Sequence, residues 1–157
     1  FRFLSQTQEE SNLNLKILIN SCDEMAKSKM GAIIVLQKNN SLDFTLNESN
    51  YSKIQLTPQV LESIFFKNSP LHDGAIVIKN NIIIATRVIL PVSDKSNIPS
   101  RYGLRHRAAL GITEKTDALV LVISEQTGKI VYFKNGSFYS IDSLEALKKS
   151  ITQDLSN

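Results

Sequence analysis

The feature of this sequence that most constrains its fold is a pair of short apolar runs rich in β-branched residues, at 75–78 and 82–90. Branched side chains pack well on a pleated surface and lose rotamer freedom in a helix. The two runs flank Asn80-Asn81, a dipeptide that tolerates the positive φ angles of a two-residue turn. The pattern therefore predicts a β-hairpin in the middle of the chain.

Further strands are predicted on both sides of this hairpin. Residues 32–36 are a compact apolar run that ends in a polar turn, which is typical of a buried strand. Residues 118–124 and 129–133 predict a second hairpin, and residues 137–141 predict another strand after a short turn. Residues 41–55 are polar and irregular, so no regular element is predicted there.

Four stretches predict helices. Residues 14–28 and 103–115 carry apolar residues at helical or near-helical spacing. Thr57, followed by proline, marks the capped start of a helix that runs to residue 66. Asp142 and Glu145 predict a capping box at the last helix. Hairpins combined with these helices predict one globular α/β domain of the α+β-like kind, with a central mixed β-sheet covered by helices on both sides.

Composition narrows the class of protein. A chain of 157 residues that is 42% hydrophobic can bury one sizeable core. Its net charge of +3, without a long run of like charges, argues against a protein that coats nucleic acid. Cys22 is the only cysteine, which excludes an internal disulfide and fits a reducing compartment. Residues 1–12 are interpreted as a linker or the remnant of an upstream segment, and residues 13–157 as the domain.

The two histidines of the chain each lie in a cluster of reactive groups. His72 and Asp73 precede Gly74, which lets a ligand approach the backbone, so this loop can seat a metal-bound phosphate. The alternative is an ordinary turn before a strand, because aspartate and glycine are common in such turns. Arg105 and Arg107 flank His106 near a predicted helix start and can grip phosphate oxygens, although a solvated basic face has the same residues.

The combination of these clusters resembles the diadenylate cyclase family, whose members carry Asp-Gly-Ala and Arg-His-Arg motifs. The similarity covers about residues 13–139. Leu104 stands where many members carry a threonine, and residues 47–52 lack the Thr-Gly pair that many members have there. The segments that carry the similarity are Ser69-Pro70-Leu71-His72, Asp73-Gly74-Ala75, Leu90-Pro91-Val92-Ser93, Arg105-His106-Arg107-Ala108-Ala109-Leu110-Gly111 and Ser124-Glu125-Gln126-Thr127-Gly128.

The resemblance implies an enzyme that condenses two ATP molecules into cyclic di-AMP and releases two pyrophosphates. It implies a face-to-face homodimer, because each ATP must attack the other. It also implies the cytoplasmic domain of a bacterial protein anchored in the membrane by a segment absent from this chain, with regulatory protein partners and no nucleic acid. The alternative is a sensor that binds adenine nucleotides without turnover.

The resemblance also implies roles for individual residues. Asp73, Arg105, His106 and Arg107 would be catalytic, with the last three holding the triphosphate. His72 and Asp73 would bind Mn²⁺ or Mg²⁺, and the histidine would favour manganese. The residues implied to contact ATP are Leu71, Gly74, Ala75, Ile89, Leu90, Gly103, Leu104, Arg105, His106, Arg107, Ser124 and Glu125.

Overall fold

The structure is a computed structural model of the chain and describes residues 12–47 and 49–157. The interpretation of residues 1–12 as a linker therefore lies almost wholly outside the described residues. The helices, in chain order, are α1 Leu15–Lys27, α2 Asp43–Leu46, α3 Pro58–Phe65, α4 Leu104–Lys115 and α5 Leu144–Leu155. The strands are β1 Ala32–Leu36, β2 Asn50–Gln55, β3 Ala75–Lys79, β4 Ile82–Val88, β5 Leu119–Ile123, β6 Ile130–Lys134 and β7 Ser137–Ser140.

The strands form one seven-stranded mixed sheet in the order β2-β4-β3-β1-β5-β6-β7. Only the central pair, β1 and β3, is parallel, and every other pair is antiparallel. Both predicted hairpins are present as β3-β4 and β5-β6. In the first hairpin Lys79 pairs with Ile82, and Asn80 takes a φ of 57°, as the turn requires.

Helices cover both faces of the sheet, which confirms the predicted architecture. Alternation along β1 sends Ala32, Ile34 and Leu36 into one apolar layer, and Ile33 and Val35 into the other. The first layer packs against α1, α3 and α5, and the second packs against α2 and α4. These layers are called the α1 face and the α4 face below.

The prediction of no regular element over residues 41–55 is wrong, because that stretch contains α2 and β2. Strand β2 lies at the edge of the sheet, where it pairs with β4, and nearly all of its side chains are exposed. An edge strand without a buried side needs no alternation of apolar residues, so its sequence lacks the pattern from which strands are predicted. Hydrogen bonding to the backbone of β4 holds β2 in the sheet.

One of the two predicted helix caps is present and the other is not. The Thr57 hydroxyl accepts a hydrogen bond from the Val60 amide at 3.2 Å, with proline at the next position. The predicted capping box of Asp142 and Glu145 is wrong, because the helix begins one residue later. Ser143 has the extended backbone of an N-cap, and its hydroxyl accepts from the Ala146 amide at 3.1 Å.

Helix α4 lies unusually close to the segment that follows β4, and this contact positions the site. A Cβ on Gly111 would lie 1.8 Å from the Pro91 carbonyl oxygen, so only glycine fits there. The Ser93 amide donates to the Arg107 carbonyl at 3.0 Å. Helix α4 is thereby held against this segment, with its N-terminus beside the end of β4. Among the described residues, the structure contains no helix whose length and apolar character would let it span a bilayer.

Candidate active site

A cavity of about 760 Å³ opens on the α4 face at one end of the sheet. Its walls come from the loop before β3, the end of β4 and its following segment, the N-terminus of α4, and the turn between β5 and β6. Most residues that the family resemblance implies at an ATP site meet in this cavity. They are Asp73, Gly74, Ile89, Leu90, Gly103, Leu104, Arg105, His106, Ser124 and Glu125.

The loop that carries Asp73 is pressed against the end of β4. Gly74 has a φ of +82°, and a Cβ there would lie 2.9 Å from the carbonyl carbon of Arg87. A side chain at this position would therefore be strained and would collide with backbone. The glycine allows the Asp73 carboxylate to stand at the cavity wall immediately before a buried strand.

His72 stands next to Asp73 but does not line the cavity. Its Nδ1 lies 2.8 Å from the carbonyl oxygen of Ser69, which can only accept a hydrogen bond. Nδ1 therefore donates to this carbonyl, and Nε2 is the ring nitrogen on the other side of the imidazole.

The N-terminus of α4 forms the second wall. Gly103 is the N-cap, and no side chain among the described residues caps the helix. The amides of the first helical turn have no partner within a helix, so they favour an anion placed at this end. Leu104, where the family resemblance implies a threonine, is 75% exposed and contributes an apolar rim to the cavity.

Arg105 connects α4 to the turn between β5 and β6. Its guanidinium packs over Gly31, where a Cβ would lie 2.9 Å from the Arg105 Cζ. Its Nη1 lies 3.4 Å from Oε1 of Glu125. The absence of a side chain at Gly31 therefore leaves room for this guanidinium.

His106 is buried and stacked, and this changes its expected charge. Its ring lies 4.3 Å from that of Tyr102, with an angle of 10° between the planes. Burial, followed by the positive charges of Arg105 and Arg101, lowers the pKa of His106 to about 4. The imidazole is therefore neutral at pH 7 in the unliganded protein. The Arg-His-Arg motif supplies two cations here rather than three.

Four residues implied to act at the site lie outside the cavity. Arg107 points away along α4, and its Nη1 donates to the carbonyl oxygen of Lys95 at 3.2 Å. Leu71 packs with the core of the α1 face, and Ala75 is fully buried at the start of β3. His72 is the fourth. Successive residues on a helix point about 100° apart, so one helical turn cannot direct all three motif side chains to one ligand.

The motif from Ser124 to Gly128 shapes the turn between β5 and β6. The Ser124 hydroxyl accepts hydrogen bonds from the amides of Gln126 and Thr127, both at 3.2 Å. Gly128 has a φ of +73°, and a Cβ there would lie 2.3 Å from the carbonyl oxygen of Ala26. The turn is thus docked on the end of α1, with Glu125 held at the cavity.

Several cavity residues were not found from the sequence. They include Arg87, Ser100, Arg101 and Tyr102. Arg87 adopts a φ of 54° next to a register shift between β3 and β4, which a sequence pattern does not reveal. Arg101 and Tyr102 could have been suspected from their position just before a glycine and the motif arginines.

The chain was compared with known proteins. Residues 19–138 match the family model described as DAC, DisA bacterial checkpoint controller nucleotide-binding. The diadenylate cyclase CdaS of Bacillus thuringiensis is 38% identical over 139 residues, covering 88% of this chain and 67% of that protein. A diadenylate cyclase of Listeria monocytogenes is 36% identical over 154 residues, covering 98% of this chain and 56% of that protein. The chain thus spans just over half to two thirds of these relatives.

Solved structures agree with this relationship. A double mutant of DacA from Staphylococcus aureus superposes with a TM-score of 0.87 at 31% identity, covering 91% of this chain and 95% of that chain. A Bacillus cereus protein described as a hypothetical membrane spanning protein gives a TM-score of 0.79 at 38% identity, covering 82% and 63% of the two chains. The chain belongs to the DAC family of diadenylate cyclase domains.

Proposed function

We propose that this domain is a diadenylate cyclase, which condenses two ATP molecules into cyclic di-AMP and releases two pyrophosphates. The observation that carries the proposal is the shared cavity of Asp73 and Arg105, which places a carboxylate across from a guanidinium at an uncapped helix start. Relatives that span most of this chain bear the names diadenylate cyclase and cyclic di-AMP synthase.

Each product molecule requires two phosphodiester bonds. The 3′-hydroxyl of each ATP attacks the α-phosphorus of the other ATP, and pyrophosphate departs in line on the opposite side. One cavity holds one nucleotide, so we propose that two domains meet face to face as a homodimer. The open cavity and its exposed apolar rim at Ile89 and Leu104 support this arrangement, since each is 75% exposed. An isolated monomer is expected to be inactive.

In this mechanism Asp73 orients the attacking 3′-hydroxyl and takes up its proton. Arg105 and the amides of the first turn of α4 bind the triphosphate and stabilise the negative charge that develops on the leaving pyrophosphate. Ile89 and Leu90 provide the apolar surface on which the adenine packs. Glu125 holds Arg105 in position through the ion pair described above and lies near the phosphates or a second metal position.

The residues present fit a divalent cation, Mn²⁺ or Mg²⁺. The described residues contain no cluster of three or more His, Cys, Asp or Glu side chains that could enclose an ion. Asp73 would hold it at the cavity wall, and phosphate oxygens and water would complete its coordination, as is usual for these ions. His72, the second protein ligand that the resemblance implies, adjoins Asp73 in the chain but does not line the cavity, so it would hold the ion only through Nε2 from outside the cavity wall. When bound, such a cation makes the 3′-hydroxyl more acidic and neutralises phosphate charge.

We also propose that the domain works as part of a longer, membrane-anchored bacterial protein, on its cytoplasmic side. The Bacillus cereus structure with this fold is described as membrane spanning, and the chain covers 63% of that structure. Regulatory protein partners would then act on the anchored protein.

Incubation with ATP and either Mn²⁺ or Mg²⁺, followed by mass spectrometry of the nucleotides, tests the proposal. We expect cyclic di-AMP and pyrophosphate, with a specific activity that rises with protein concentration as dimers form. ATP binding without any product would instead identify a nucleotide sensor. A specific activity independent of concentration down to the monomeric range would overturn the dimer.

A further inference from the structure

Besides Arg87 near the end of β4, the cavity has a second cationic residue outside both family motifs, Arg101. It lies in the turn that leads into α4, two residues before the N-cap Gly103. Its side chain contributes to the cavity wall together with Arg105 and His106. It therefore stands at the end of the helix where anions are favoured.

The turn that carries Arg101 is anchored by aromatic packing. Its Cζ lies 5.0 Å from the centroid of the Tyr102 ring. Tyr102 stacks on His106 and also meets the edge of Phe138 at 5.4 Å and 76°. Because Tyr102 is buried between these rings, the position of the Arg101 backbone is set by the core of the α4 face. Arg101 is exposed, and its guanidinium stands over this aromatic ring at the cavity.

The two motif arginines are already engaged, whereas Arg87 lines the cavity from near the end of β4. Arg105 is paired with Glu125, and Arg107 is turned away to the Lys95 carbonyl. No carboxylate of the described residues lies within ion-pair distance of Arg101. The field of Arg101 nevertheless reaches the site, since it contributes to the lowered pKa of His106.

We infer that Arg101 is a further phosphate-binding residue of this site, which contacts the triphosphate tail of ATP and supplies the cation that Arg107 does not bring to the cavity. The inference rests on the proposed function for the identity of the nucleotide. Arginine suits the task, because its planar fork can donate two hydrogen bonds to phosphate oxygens while its face rests on an aromatic ring.

The test compares equilibrium binding of a non-hydrolysable ATP analogue with that of adenosine, for the wild-type domain and for Arg101→Gln. We expect the variant to bind the analogue about tenfold more weakly, as for loss of one charge-assisted contact, with unchanged adenosine binding. Arg101→Lys should recover part of this loss, because it keeps the charge without the fork. Lys149→Gln, the same charge change on exposed α5, should match the wild type.

The outcomes separate this inference from the proposed function. Equal binding of the analogue by wild type and Arg101→Gln overturns the role of Arg101. An equal loss of adenosine binding also overturns it, because that loss reports a disturbed pocket and not a lost phosphate contact. If the wild type produces no cyclic di-AMP, the proposed function fails, yet the same binding comparison still decides the role of Arg101. With turnover, KM for ATP should rise about tenfold in Arg101→Gln with kcat nearly unchanged.

Discussion

Each face of the sheet buries an ionisable side chain, and burial shifts the two pKa values in opposite directions. On the α1 face Cys22 is fully buried among aliphatic residues, and burial raises the pKa of its thiol to about 12. On the α4 face burial and two arginines lower the pKa of His106 to about 4, and this ring lines the cavity. The first group is sealed in a core that only stabilises the fold. The second is part of a core that ends at the candidate site.

Strand β1 shows how close the two environments lie. Ile34 is fully buried on the α1 face, whereas its neighbour Ile33 contributes to the cavity wall on the α4 face. Helices α1, α3 and α5 cover the α1 face. On the other face, α4 begins at the cavity and leaves that end of the sheet open. The site is therefore an unclosed end of one core layer, and the other layer supports it from behind.

The largest effect that we expect is a loss of activity from a single change on the α4 face, without a loss of folding. Asp73→Asn keeps the shape of the side chain and removes its charge, so we expect folding and ATP binding to be preserved. Formation of cyclic di-AMP should fall by at least about a thousandfold, as for loss of a general base. Product analysis measures the loss of cyclic di-AMP, and a thermal unfolding curve with and without ATP checks folding and ATP binding. Wild-type turnover by this variant would contradict the role of Asp73.

Truncation of a core side chain on the α1 face should lower the stability of the fold and leave ATP handling nearly unchanged. Leu18 is fully buried there, and Leu18→Ala should lower the free energy of unfolding by about 3 kcal/mol, because it leaves a cavity. KM for ATP should stay within about twofold of the wild type, because Leu18 lies on the opposite side of the sheet from the site. Urea denaturation and steady-state kinetics check this. A large change in KM would mean that the two faces are coupled.

The stacked histidine predicts a pH dependence of stability. Its pKa is about 4 when folded against an ordinary 6.5, so between these values the unfolded chain binds more protons. The free energy of unfolding should therefore fall as the pH decreases from 7 to 4.5, with about 2 kcal/mol of the loss due to this residue.

His106→Phe is the matched control for that dependence, because it keeps an aromatic ring against Tyr102 and cannot be protonated. Urea denaturation of both proteins at pH 7 and pH 4.5 isolates the contribution of the histidine. The variant should lose about 2 kcal/mol less than the wild type over this interval. Identical losses would show that the ring is not buried as described.

The smallest expected effect concerns the ion pair at the cavity mouth. The Glu125 side chain is 60% exposed in its contact with Arg105, and exposed pairs contribute little. Glu125→Gln should change the free energy of unfolding by less than about 1 kcal/mol. ATP turnover is the sharper measurement, because Arg105 loses its anchor. A stability loss as large as that of Leu18→Ala would show that the pair is part of the core.

The sequence predicted the elements whose pattern is local. Helix α1 has one buried side and therefore a helical period of apolar residues. The central strands β1, β3 and β5 are buried on both faces and read as short continuous apolar runs. Strand β2 was missed because it is exposed, and its order comes from β4. The start of the last helix was misplaced by one residue, since aspartate and serine are both good N-caps and only the backbone conformation distinguishes them.

For the candidate site, the residue types available and the family that their motifs resemble follow from the sequence alone. Which of these residues meet in one cavity depends on the folded chain. It brought Asp73 to Arg105 and added Arg101, while it turned Arg107 toward Lys95 and placed Leu71 on the other face. The physical reason is that a motif records neighbours along the chain, whereas convergence on one cavity depends on helix phase, sheet face and the close approach of α4 to Pro91.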